Sequence, residues 1–291
     1  MAPPPDSTAR SYGLVFDEIA AEYDRSRPIY PDELIDQACH VAGVGTGDHV
    51  LEVGCGTGQL TRGLVARGLR VTAVDPGKNL LAQASRNLEG ADGVEFVNAR
   101  FEDVSLPREQ FQAVFAASAF HWVDPEVGWR KAADLLVPGG TLALLTYCGL
   151  EETRSRRDQE AVLAAMAKVA PDVAANWPTY RDLDATLAGI EQRRSNVSKV
   201  WAWLGSYDIG EDYAGSLFDN VQVAVMPKLL EHAPDELNAL VRTMSFYARL
   251  SPDQREALER EYEAIYELLG RPIRASTLAV VVTARRTTDG G

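Results

Sequence analysis

The chain has 291 residues, 46% of them hydrophobic, which is material enough for a sizeable core. Its formal charge of -13 at pH 7 repels a phosphate backbone, and no Lys/Arg cluster offsets it beyond Arg154, Arg156 and Arg157, which argues against nucleic acid as a partner. No apolar run approaches the roughly 18 residues of a membrane span, and three scattered cysteines, Cys39, Cys55 and Cys148, fit a reducing cytoplasm better than a disulfide framework.

The opening MAPPPDSTARS lacks the basic start and apolar stretch of a signal peptide, so residues 1–11 read as a disordered tail. Residues 12–48 are expected to be helical. Phe16, Ile19, Ala20 and Tyr23 recur at the spacing of one helix face, Pro28 and Pro31 end that helix, and a second helix runs from about Asp32 to Val41.

From His49 to Asp75 the chain alternates strand, turn, helix and strand. Val50 to Val53 is an apolar run, Gly54-Cys55-Gly56-Thr57-Gly58 is a glycine turn, Leu60, Leu64 and Val65 fall at helical spacing, and Val71 to Val74 is a second apolar run. That is a parallel βαβ unit, whose strands are buried on both faces. A dinucleotide turn wants G-x-G-x-x-G, whereas here the third glycine, Gly58, comes one residue early and Gln59 follows it. Glu52, two residues before the first glycine, would repel a diphosphate and attract a ligand carrying an ammonium group. Asp75 closes the second strand, where an acid can accept hydrogen bonds from ribose hydroxyls.

Farther on, a helix carries Leu80, Leu81, Ala84 and Leu88, Val94 to Val97 forms a third strand, and Asn98 to Asp103 is its exit. The fourth strand, Ala113 to Ala117, runs into Ser118-Ala119-Phe120-His121-Trp122, and residues at that end of a parallel strand face the ligand crevice. After a helix, Pro138-Gly139-Gly140 turns into a fifth strand, Thr141 to Tyr147. Residues 150–218 change character, and their second half holds Trp177, Tyr180, Trp201, Trp203, Tyr207, Tyr213 and Phe218, three of the five tryptophans among them. In residues 219–291, strands are expected at Val221 to Val225 and Leu278 to Ala284, with helices at Pro234 to Met244 and Pro252 to Leu269.

Glu52-x-Gly54-x-Gly56-x-Gly58 with Asp75 at the next strand end resembles the class I S-adenosylmethionine-dependent methyltransferases. Ala119-Phe120-His121-Trp122 resembles the branch holding trans-aconitate-type and natural-product enzymes. The resemblance implies an α/β fold: a Rossmann-like seven-stranded sheet with helices on both faces, a donor-binding core over 49–149, an inserted and mainly helical substrate cap over 150–218, and a terminal antiparallel hairpin. It implies S-adenosylmethionine as cofactor, with S-adenosylhomocysteine as product. It also implies donor contacts at Glu52, Gly54, Cys55, Gly56, Gly58, Asp75, Pro76 and Ser118, at Tyr23 and Arg27 on the crossing segment, and at Arg100 and Phe101 on the adenine-side turn.

Methyl transfer of this kind needs alignment, water exclusion and removal of any proton left on the nucleophile. His121 is the candidate base, with Tyr23 and Glu52 completing a polar cluster; the alternative is that His121 only lines the pocket or bonds the backbone. No metal is expected, since Ala116, Ala117 and Ser118 stand where divalent-metal members of the family place a carboxylate and there is no His/Cys cluster. The partner expected is a small-molecule acceptor of phenol, indole or related heteroaromatic type. The alternatives are a trans-aconitate-like carboxylate, gripped by arginines such as Arg181, Arg193, Arg194 and Arg242, and a donor-binding protein without catalysis.

Overall fold

A computed structural model describes residues 15–206 and 212–288; the expected tail and Tyr207 lie outside the described residues. In order the elements are α1 (Val15–Glu18), α2 (Ala20–Ser26), α3 (Asp32–Ala42), β1 (His49–Val53), α4 (Gln59–Ala66), β2 (Arg70–Asp75), α5 (Lys78–Asn87), β3 (Val94–Asn98), β4 (Phe111–Ala117), α6 (Pro125–Leu135), β5 (Leu136–Gly149), α7 (Arg156–Val169), α8 (Pro171–Ala175), α9 (Leu183–Arg193), α10 (Val197–Gly205), β6 (Phe218–His232), α11 (Pro234–Arg242), α12 (Pro252–Leu269) and β7 (Ile273–Arg286).

The sheet has seven strands in the order β3-β2-β1-β4-β5-β7-β6. The first five are parallel, while β7 runs antiparallel between β5 and β6. Alternate residues along each strand feed opposite layers, as the pleat requires. On β5, Leu142 and Leu144 join Trp129, Val200 and Trp201 on one face; Ala143 and Leu145 join Leu34, Leu60 and Leu64 on the other. Both faces are dry, which is why the parallel strands carry unbroken apolar runs.

Two expectations are corrected. The sixth strand runs over Phe218–His232 rather than Val221 to Val225. Pro227 sits within it, which an edge strand tolerates because one row of its N–H groups has no partner strand. The cap, expected as one insertion over 150–218, is instead assembled from two distant segments. Helices α7 and α8 close with α11 and α12 around a core of their own, with Met166, Leu237, Val241, Phe246, Leu258 and Tyr262 at its centre. By contrast α9 and α10 lie on the sheet, where Ile190, Val197, Val200, Trp201 and Leu204 enter its main core. Trp201 is fully buried there, so its bulk glues helix to sheet rather than roofing a ligand.

The boundaries of α12 match expectation residue for residue because the local chemistry marks them. Ser251 and Gln254 form a capping box, Pro252 takes the first helical position, and Gly270 ends the helix at φ +64°.

Candidate active site

The crevice begins at the carboxyl ends of β1, β2 and β4. Gly54, Gly56 and Gly58 all have positive φ, which lets the loop turn sharply from β1 into α4. Each glycine answers a different neighbour. A Cβ on Gly54 would stand 2.4 Å from that of Ala119, so this glycine admits the exit of β4. A Cβ on Gly58 would lie 2.9 Å from Leu88 and 3.3 Å from Ala84, so it lets α4 pack against α5, and it does not line the cavity. Gly58, expected as a donor contact, thus has a packing role whose reason is visible here. Around Gly56 the nearest atom is Tyr23 Cε1 at 3.9 Å, leaving room for a ligand against the main chain.

Two buried acids flank this loop. The Gly56 and Gly77 N–H groups donate to the two carboxylate oxygens of Asp75 at 2.9 and 2.8 Å. Glu52 is 1% exposed and accepts a hydrogen bond from Thr61 Oγ1 at 2.7 Å. Burial pushes the Glu52 carboxyl up to about 8 against the pull of Thr61, and the Asp75 charge adds to the rise. Where the sequence reads a fixed anion, burial thus favours the protonated carboxyl at neutral pH, and an adjacent positive group would favour its ionised form. Cys55 lines the same wall with its thiol held far above the ordinary range by burial and by both acids, so it is no nucleophile.

The N-terminal helices close over this crevice through ties to α4 and α5. Asp17 accepts from the N–H groups of Asn79 and Leu80 at 2.7 and 3.0 Å, Asp24 accepts from Asn87 Nδ2, and Gln59 Nε2 donates to the Asp24 carbonyl at 3.3 Å. The Arg27 guanidinium lies 5.0 Å from the Tyr23 ring centroid and donates to the Thr243 carbonyl of the helical lobe. Tyr23, Arg27, Pro76, Arg100, Phe101, Ser118 and His121 all line the same cavity. Arg100 pairs with Glu102, and Phe101 is buried with its ring 6.4 Å from that of Phe120.

Ser118 leaves β4 at φ +50°, strained for a side-chain-bearing residue, and its Oγ is 2.7 Å from the Tyr30 hydroxyl. The Tyr30 ring stacks on Tyr147 at 4.9 Å, and Tyr147 donates to the Ile29 carbonyl. Sequence reasoning missed this pair. Tyr147 stands near the carboxyl end of a parallel strand, the position that faces the crevice, and that rule could have found it. His121 is half-buried, and burial followed by the Arg27 charge brings its imidazole down to about 3, so it is neutral at physiological pH.

The cavity, about 530 Å³, continues from the acids into the helical lobe, where Trp177, Tyr180, Phe246 and Tyr262 line it. Tyr180 lies flat on the end of β5 because Gly149 has no side chain: a Cβ there would fall 2.1 Å from the ring. Gly149→Ala is expected to lower the melting temperature by several degrees, from about 1–3 kcal/mol of overpacking. Affinity for S-adenosylhomocysteine should stay within about twofold. Thermal denaturation and calorimetry check the pair; an unshifted melting point would show that the ring yields freely.

This fold is the Rossmann-like seven-strand methyltransferase arrangement. Residues 51–144 match a family model described as "Methyltransferase domain", so this stretch of the chain is similar to that family. An uncharacterized methyltransferase of Mycobacterium tuberculosis is 38% identical over 136 residues, 47% of this chain and 53% of that protein. A demethylmenaquinone methyltransferase of Clavibacter sepedonicus is 28% identical over 180 residues, 60% of this chain and 73% of that one. The chain thus spans about half the length of the first curated relatives it matches. Among solved structures, a protein proposed to be a type II methyltransferase from Anaeromyxobacter dehalogenans aligns with TM-score 0.58 at 22% identity, covering 90% of this chain and 99% of its own. The [4+2]-cyclase SpnF aligns with TM-score 0.51 at 15% identity, covering 99% of each chain. At these identities the two structures bear on the fold alone.

The cofactor that the sequence resemblance implies is S-adenosylmethionine, and the residues present fit it. The open side of Gly56 gives the main chain a ligand face, Thr57 Oγ1 lines the cavity buried with no hydrogen-bond partner among the described residues, and the Glu52 and Asp75 carboxyls line the same cavity, a set of acceptors that suits an ammonium and a ribose diol. Among the described residues no group of three or more His, Cys, Asp or Glu side chains could hold a metal, and no helix is long and apolar enough to cross a membrane.

Proposed function

We propose that the protein transfers a methyl group from S-adenosylmethionine to a small, mainly apolar acceptor of aromatic or heteroaromatic type. The observation that carries this reading is the single cavity joining the Glu52–Gly56–Asp75 crevice to a chamber walled by Trp177, Tyr180, Phe246 and Tyr262. When bound, S-adenosylmethionine supplies a methyl group on a positively charged sulfur whose departure needs no proton donor. The protein's share is alignment and exclusion of water. Asp75 and the glycine loop hold the nucleoside end, Glu52 faces the amino-acid end, and α2 with the Arg27 tie to the lobe closes the mouth.

His121, which lines the cavity, is proposed to accept a hydrogen bond from the nucleophile and so aim it. Its imidazole starts neutral, and a neutral imidazole has one ring nitrogen of the accepting kind. Its weak basicity suits positioning, or removal of a proton from an already acidic O–H or N–H. The rate is accordingly expected to show no imidazole inflection between pH 5 and 8. His121→Ala should lower kcat at least about tenfold while leaving S-adenosylhomocysteine affinity unchanged. Full turnover by that variant would remove His121 from the chemistry.

An acidic acceptor is disfavoured. Of the arginines considered for a carboxylate fork, Arg181 and Arg193 stack on Trp203 at 3.8 and 4.2 Å. Arg194 pairs with Glu191 and Arg242 with Glu259, and none of the four lines the cavity. A fold shared with a cyclase does not by itself specify the reaction, so the test must read product. Labelled S-adenosylmethionine is incubated with phenols, indoles, amines and carboxylic acids, and products are located by mass spectrometry. Label on a phenol or indole supports the reading. Label on aliphatic acids alone, or donor binding with no methylated product, replaces it with the carboxylate or the non-catalytic alternative.

A further inference from the structure

The polar groups of the acceptor chamber divide into those already engaged and those left over. Gln159 donates to the carbonyls of Leu150 and Ser276, Tyr180 Oη accepts from Trp177 Nε1 at 3.1 Å, and Arg274 pairs with Glu231. Tyr262 and Thr277 line the same cavity, and the Tyr262 hydroxyl and Thr277 Oγ1 are buried with no hydrogen-bond partner among the described residues. Tyr262 is 0% exposed. Leaving such a hydroxyl unpaired is costly, since burial strips its water and nothing replaces it. A phenylalanine in the apolar lobe would avoid the penalty.

The two orphans stand close to one another's surroundings. Strand register sets Thr277 opposite Gly149, the Tyr180 ring lies on Gly149, and the Tyr180 phenol is near enough to Tyr262 to perturb it. Two elements remote in sequence, α12 and the start of β7, thus bring unpaired hydroxyls to one wall of the chamber. That wall belongs to the lobe rather than to the acids and glycines of the donor crevice.

We infer that Tyr262 is a specificity-determining residue: its hydroxyl donates a hydrogen bond to a neutral oxygen, such as a ketone, quinone or ether, on the part of the acceptor that lies in the lobe, with Thr277 Oγ1 as a second polar contact. The inference rests on the reading of the cavity as a joint donor and acceptor site. It narrows the acceptor to a molecule with its nucleophile toward His121, an apolar body and an oxygen at the other end. Burial holds the Tyr262 phenol well above its ordinary range, so it remains a donor at any working pH.

The test uses two probes that differ only at the far end, 4-phenylphenol and 4-(4-methoxyphenyl)phenol. Their binding to the full chain is measured by calorimetry with and without S-adenosylhomocysteine. The wild type should bind the methoxy probe about three- to tenfold more tightly, the worth of one hydrogen bond to a neutral group. Tyr262→Phe should bind both probes alike, bind S-adenosylhomocysteine as the wild type does, and melt at or above the wild-type temperature because an unpaired buried hydroxyl is gone. A tyrosine with a merely structural role would change the melting temperature and leave the probe ratio untouched. Equal binding of the two probes by the wild type, binding of neither, or a ratio that survives in the variant overturns the inference. The first two outcomes do so even if the variant fails to fold. Failure of S-adenosylhomocysteine to bind would instead overturn the donor assignment, and the ligand-free probe ratio would still decide the role of Tyr262.

Discussion

Glu52→Gln is expected to stabilise the ligand-free protein above neutral pH while weakening its hold on S-adenosylhomocysteine by at least about thirtyfold. Both effects follow from one buried carboxyl. In the folded chain it titrates near 8, against 4.5 for the exposed group, so the folded state binds the proton more tightly than the unfolded state does. The stabilisation this gives is complete below about pH 4.5 and is lost as the pH rises through 8. The wild-type melting temperature should therefore fall across pH 6 to 9, and the variant, whose amide oxygen can still accept from Thr61, should fall less steeply. With ligand the balance reverses. Removing one partner of a buried charge pair costs about 2–5 kcal/mol, much of it from leaving the other charge without a counter-charge, and glutamine cannot supply one. At pH 7 wild-type binding should also release protons, seen as heats that differ between buffers of different ionisation enthalpy, and the variant should release none from this site. Equal affinity in wild type and variant would show that Glu52 does not face the ligand's positive charge.

Asp75→Ala should be the most damaging change on the nucleoside side. Its carboxylate accepts from both Gly56 and Gly77, so it organises the glycine loop as well as offering oxygens to a ligand. Hydrogen bonds to charged groups contribute about 1.5–3 kcal/mol each. Removing two while leaving their N–H groups buried should lower the melting temperature by roughly 5–15 °C and reduce S-adenosylhomocysteine affinity at least about a hundredfold. Asp75→Asn retains one acceptor oxygen and should fall between. If the alanine variant melts with the wild type, the loop is held by its glycines alone.

What the sequence by itself determined is the part of the molecule built from local signals. The βαβ unit from His49 to Asp75, the glycine turn, the two acids and the ends of α12 were legible because strand burial, positive φ and helix capping act over a few neighbouring residues. Gly54 and Gly56 line the cavity, while the neighbour of Gly58 is Leu88, thirty positions on, and a glycine that admits a ligand looks the same in sequence as one that admits another helix.

Only the tertiary structure decided how the lobe is made and what state the acids are in. An apolar helix stripe says that a face is buried and not against what, so α10 could be taken for a roof when Trp201 is sheet core, and α12 could be passed over when Tyr262 faces the chamber. Charge is equally non-local. Glu52 reads as an anion and His121 as a switch near neutrality, but the packing of β1, α4 and the crossing helices removes their water and moves both away from their ordinary values. Desolvation is a property of everything folded around a side chain, and no short stretch of sequence contains it.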